Sequence, residues 1–177
     1  MLPLHPKLVH LPIALAVLMP LLFLGLGLAI RRAWLPPRAW FLALALQGVL
    51  LAGGFAARWS GERDEDRVEA RVPEGALKAH ERAANVFLVG SGAVLLLAAG
   101  AAVLRRPGAA GALRIATTLG SLGVLGLGYQ VGEAGGKLVY GPGGLAAAAP
   151  APGTPSTEAG PEARDHEARE HEGREHP

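Results

Sequence analysis

The chain contains no cysteine. That excludes disulfides, thiolate metal sites, iron–sulfur clusters and covalent haem attachment through a C-x-x-C-H motif. An excess of charge is missing as well. Its 17 Lys and Arg against 15 Asp and Glu leave a net charge of +2, too little for a nucleic-acid-binding protein. No G-x-S-x-G, H-E-x-x-H or Walker-type sequence occurs, so nothing points to a hydrolase or an ATPase. The chain reads as something other than a stand-alone enzyme. The most consequential absence is local: from Leu11 to Ile30 there is no charged side chain. That run is long enough to cross the roughly 30 Å hydrocarbon layer of a bilayer. It is too long for a signal-peptide core and has no small-residue cleavage site behind it, which predicts a retained span.

What is present is apolar sequence in blocks. Hydrophobic residues make up 50% of the chain, yet mean hydropathy is only +0.29, because apolar segments alternate with charged loops. Four segments, residues 8–30, 39–57, 83–104 and 112–131, each approach the roughly 20 residues a spanning helix needs. Arg31, Arg58, Arg105 and Arg114 bound them. The pattern predicts an all-α fold, a four-transmembrane-helix up-and-down bundle over residues 1–143. Pro20 falls mid-span, frees one backbone carbonyl and should kink the first helix. Trp34, Trp40, Trp59 and Tyr140 fall at predicted helix ends, where an aromatic belt belongs. Gln47 lies mid-span and can pair across helices.

The links divide by charge. Residues 31–38 hold Arg31, Arg32 and Arg38 without an acid, and the link after the third span holds Arg105, Arg106 and Arg114. The middle loop mixes Arg58, Arg63, Lys78 and Arg82 with Glu62, Asp64, Glu74 and Glu81. The density of basic residues in the short links places them in the cytoplasm and both termini outside. After Gly144 apolar periodicity vanishes, and residues 144–177 read as a disordered tail, first Ala/Pro/Gly-rich and then His/Glu/Arg-rich. His166, His171 and His176 recur every five residues, about 140° apart on a helix, so they share no ligand face. A solvating tail is favoured there over a weak divalent-metal tail. In the fourth segment Gly128/Gly132 and Gly132/Gly136 are small-xxx-small pairs. They serve packing within the bundle or, alternatively, self-association or a partner helix.

Candidate chemistry rests on histidine. The opening His5-Pro6-Lys7-Leu8-Val9-His10-Leu11-Pro12 sets two imidazoles at the mouth of the first span. Helix N-termini disfavour protonation and keep an imidazole neutral, the form a metal or haem iron needs. His80 takes the equivalent place on the third helix, in a stripe with Leu77, Ala84 and Phe87 that can turn it into the bundle. With both termini outside, His5, His10 and His80 meet at the outer mouth. A pair of them, His10 with His80 and His5 as the substitute, suits the axial positions of haem b. All three together suit zinc or copper. Glu133 and Asn85 are candidate second-layer partners of an imidazole, although Glu133 can equally pair with Lys137 one turn on. The alternative is a non-enzymatic membrane scaffold or accessory subunit whose histidines are structural.

The opening H-P-x-x-V-H-x-P-I, His80 followed by Asn85, and the ending Gly135-Gly136-Lys137-Leu138-Val139-Tyr140 together resemble a bacterial four-helix membrane family, the domain of unknown function 2231. The likeness covers roughly residues 1–144. Two positions depart from the family pattern: Gly141-Pro142-Gly143-Gly144 stands where a basic residue, a histidine and glycines usually follow the tyrosine. Trp59-Ser60-Gly61-Glu62 replaces an aspartate–tryptophan pair. The resemblance implies a multi-pass protein of the bacterial inner (cytoplasmic) membrane, in contact with the lipid bilayer. Some relatives look fused to cytochrome c-like modules, which implies an electron-transfer setting. A redox partner in the membrane, with electrons passing between a quinol pool and an extracytoplasmic carrier, would follow from it.

Overall fold

The computed structural model describes residues 9–69 and 72–144, without the side chains of 64–69. Within them the chain forms four long helices and one short 3-10 turn: α1 (His10–Arg31), the 3-10 turn (Pro37–Ala39), α2 (Trp40–Glu69), α3 (Glu74–Val103) and α4 (Pro107–Tyr140). All four are long and apolar enough to cross a membrane.

Proline sets the boundaries at one end. α1 closes on a left-handed residue, Ala33 at φ 56°, while the Trp34 and Leu35 amides donate back to the Ala29 carbonyl, the usual way of satisfying the last carbonyls. Pro36 and Pro37 then prevent continuation. Leu104 and Arg106 are extended, as the residue before a proline prefers to be, and Pro107 opens α4 from its first turn. At the other end the bounding prolines, Pro73 before α3 and Pro142 after α4, stand several residues further out, and the helices outrun the apolar segments expected at 83–104 and 112–131. With 30 residues in α3 and 34 in α4, they measure about 45 and 51 Å, well beyond the hydrocarbon layer. The extra turns are polar and carry ion pairs one turn apart, Lys78 with Glu74 and Lys137 with Glu133, which sustain a helix in water.

The helices pack in chain order, α1 on α2, α2 on α3 and α3 on α4, and α4 closes the ring on α1. This is the up-and-down bundle that the spacing of apolar segments predicts. α1 buries Pro12, Leu15, Ala16, Met19, Pro20 and Phe23, a stripe at helical spacing. Its reverse side exposes Leu11, Ile13, Leu21 and Leu24. Large exposed hydrophobics on every helix, Leu21 at 68% and Leu96 at 75% among them, are what a lipid-facing surface requires and a water-facing one avoids.

The interior is filled. Met19, Phe23, Trp40, Gln47, Leu50, Ser91, Thr117 and Ser121 are fully buried. Glycines let the backbones approach: a Cβ on Gly54 would stand 2.8 Å from a Leu88 methyl, and one on Gly90 2.9 Å from Leu127. Gln47 donates from Nε2 to the Ser91 carbonyl at 3.0 Å, the cross-helix pairing its mid-span position predicts. Trp40 departs from expectation. Rather than joining an interfacial belt, it is 0% exposed, stacks near Phe23 at 5.3 Å and donates from Nε1 to the Ala98 carbonyl at 2.9 Å. The 3-10 turn swings the start of α2 inward, and the buried indole N–H finds its acceptor on α3. Trp34 and Tyr140 stay exposed at helix ends; Trp59 is exposed too, but α2 runs on for ten residues beyond it, so it marks no helix end.

Candidate functional site

The N-termini of α1 and α3 and the C-termini of α2 and α4 share one end of the bundle, so His10 and His80 lie at the same level. Their directions differ. His80 is half-buried and continues the inward stripe of Phe87, Ser91, Val94 and Ala98 on α3. Its ring lies against Gly135 of α4, where a Cβ would meet Cε1 at 3.4 Å and Nδ1 at 3.5 Å. A Cβ at 135 would just touch the imidazole, and a longer side chain would press on it. His10 is exposed. It precedes buried Pro12 by two residues, about 200° around the helix, and so stands on the outer side of α1. His5 lies outside the described residues, as do His166, His171 and His176 and the tail beyond Gly144.

The secondary partners also separate. Asn85 is exposed, five residues from His80 and about 140° around α3. Glu133 is paired at 2.8 Å with Lys137. Glu133 and Lys137 line an open groove of about 240 Å³ between α3 and α4, with Ala76, Ala79, Ala83, Gln130 and Ala134 as its other walls. The groove is floored by methyl groups and edged by one ion pair. His10 and His80 thus share one end of the bundle, the first exposed and the second half-buried. Among the described residues no three His, Asp or Glu side chains gather to hold a metal ion.

The glycine pair divides in the same way. Gly128 is spent inside the bundle, its Cβ position 3.4 Å from Phe87 and 3.8 Å from Ala16, whereas Gly132 opens onto free space.

A polar cluster at the opposite end was not singled out by the sequence pattern. Arg114 was expected to bound the fourth span, but α4 begins at Pro107, so Arg114 sits about 10 Å into the helix. Its guanidinium lies 5.6 Å from the Trp40 ring centre, and its Nε is buried and donates to no acceptor among the described residues. The signal available in the sequence was a charged residue seven positions after a helix-starting proline.

A family described as "Predicted membrane protein (DUF2231)" matches the chain over residues 1–147. No curated protein matches, and no solved structure does.

Proposed function

The chain belongs to the DUF2231 family of predicted membrane proteins, and on that footing we propose that it acts as a structural or accessory subunit within the membrane, its histidines packing elements rather than ligands. One observation carries the reading: the space between the four helices is occupied by the protein's own side chains, Met19, Phe23, Trp40, Gln47 and Leu50 among them, all fully buried. A bundle that houses a cofactor or passes a solute keeps such room between its helices. His80 against Gly135 then fixes α3 to α4 above the hydrocarbon layer, and the polar extensions of α3 and α4 supply a solvated surface for an associated protein.

A second reading, redox service with haem b, copper or zinc, draws support from the inward placement of His80. Since His10 stands on the outer side of α1, the second ligand in that reading is His5. Glu133, engaged by Lys137, would not orient the ring.

One preparation tests both. The protein is purified from its native membrane in mild detergent and read by absorption in oxidised and reduced form, by elemental analysis and by particle mass. The structural role expects no Soret band, no stoichiometric metal, and a particle heavier than the chain with its detergent, unchanged in His10→Ala and His80→Ala. A Soret band or a bound metal abolished by His80→Ala would overturn it.

A further inference from the structure

We infer that the end of the bundle opposite the histidines is a seat for the phosphate of an anionic phospholipid, with Arg114 as its inner wall. Six arginines collect there: Arg31, Arg32 and Arg38 on the first link, Arg105 and Arg106 on the third, and Arg114 in α4. No Asp or Glu occurs between residues 1 and 61 or between 82 and 132, so neither the helices nor the links of this end carry a carboxylate. The ion pairs Arg58–Glu62, Lys78–Glu74 and Lys137–Glu133 all lie at the other end. A cluster of guanidinium groups with no counter-charge among the described residues of this end calls for an external anion.

Arg114 shows where that anion sits. Trp40 draws all four helices together here: it is itself the start of α2, it touches Phe23 of α1, it donates to Ala98 of α3, and it lies under the Arg114 guanidinium of α4. Arg114 is half-buried beside the indole, and its Nε, shielded from solvent, has no acceptor from the described residues. Leaving a charged donor's N–H unmet in a dry site is costly, and a phosphate oxygen accepts from a guanidinium fork in two places at once. α4 begins about 10 Å further out than Arg114, without a side-chain cap, so its first amides add to the positive field at the mouth of the seat.

The surroundings choose a lipid over a free phosphate. Leu28, Trp34, Leu104 and Ile115 are exposed beside the arginines, a surface for acyl chains beneath a headgroup. An acidic phospholipid satisfies both parts, since it brings a net negative charge together with two chains. A zwitterionic lipid has the phosphate but carries its own cation beside it. The inference is independent of the histidine end and stands whether that end binds a cofactor or a protein.

The test uses the full chain in detergent, with binding followed by native mass spectrometry and by thermal shift. The probes are phosphatidylglycerol, phosphatidylcholine and inorganic phosphate. Phosphatidylglycerol is expected to bind at least about tenfold more tightly than phosphatidylcholine, and to weaken as salt rises. Arg114→Gln should cost that preference about tenfold or more, because it removes a charged donor from a dry site. Arg114→Lys, which retains charge and fold but loses the fork, should fall between the two. The exposed pair Arg105→Gln/Arg106→Gln should lose about fivefold per residue, and Arg58→Gln at the far end should lose nothing. Equal binding of both lipids, a full shift from inorganic phosphate alone, or Arg114→Gln and Arg114→Lys variants that bind like the parent would each overturn the proposal.

Discussion

At one end of the bundle Arg31, Arg32, Arg38, Arg105 and Arg106 stand exposed with no carboxylate on their links, while at the other Arg58, Lys78 and Lys137 each hold a glutamate one helical turn away. The two ends also terminate differently. Where charge is unpaired, prolines 36, 37 and 107 cut the helices short near the apolar boundary. Where charge is paired, α3 and α4 run on for several polar turns. A helix leaving the bilayer needs side chains that support it in water, and opposite charges at i and i+4 do so. A short link held close to the membrane needs none of this, and its arginines remain available to lipid phosphates.

The largest test of this contrast compares two tryptophans. Trp40 is buried at the basic end and Trp59 is exposed toward the mixed-charge end, its ring beneath Arg63 at 3.7 Å. Trp40→Ala should destabilise the detergent-solubilised protein by about 3–5 kcal/mol, the cost of a large core truncation, and free α2 from α3. Trp59→Ala should change stability by less than about 0.5 kcal/mol. Similar losses from both, in chemical unfolding followed by circular dichroism, would show that Trp40 is not the hub of that end.

Next in size is the contact that seats His80. Gly135→Leu should cost about 1–3 kcal/mol by overpacking the imidazole, whereas Gly136→Leu, into open space, should be tolerated. The same scan of melting temperatures distinguishes them. A smaller effect is expected at Gln47→Leu. It removes the bond to the Ser91 carbonyl and should cost about 0.6 kcal/mol, the average for polar contacts between membrane helices. At the bottom of the scale, Glu133→Gln should leave the melting temperature where it is. Its pair with Lys137 is exposed on both sides, and such pairs are largely offset by solvation and side-chain entropy. A drop comparable to that of Gly135→Leu would mean the groove beside it is structurally coupled to the core.

Much of this architecture was legible beforehand. Apolar runs near the length of a bilayer, three closed by an arginine and the fourth carrying Arg114 near its start, determine the number of helices and their alternation, because lipid tolerates only backbone whose hydrogen bonds are met internally. The inward turn of His80 was legible from its period with Leu77, Ala84 and Phe87. The location of His10 was less so: a histidine one turn into a helix is compatible with either side until the packing stripe through Pro12, Leu15 and Ala16 is known. The burial of Trp40 is not legible locally, because tryptophan at a helix end is usually interfacial. Only the 3-10 turn and the Ala98 carbonyl make the buried position better.

By itself, then, the sequence determined the elements: four apolar helices, arginine-lined short links, and a polar-to-apolar switch at each boundary, all consequences of transfer free energy that local composition controls. Tertiary structure alone decided which members of those elements meet. It set Gly128 against Phe87 and Ala16 rather than at a free face, directed His10 and His80 apart, and laid Arg114 over a buried indole. Those outcomes depend on the rotation of each helix about its axis. That rotation is set by glycine approaches and a few buried hydrogen bonds between residues as far apart as Trp40 and Ala98, which no local pattern in the chain encodes.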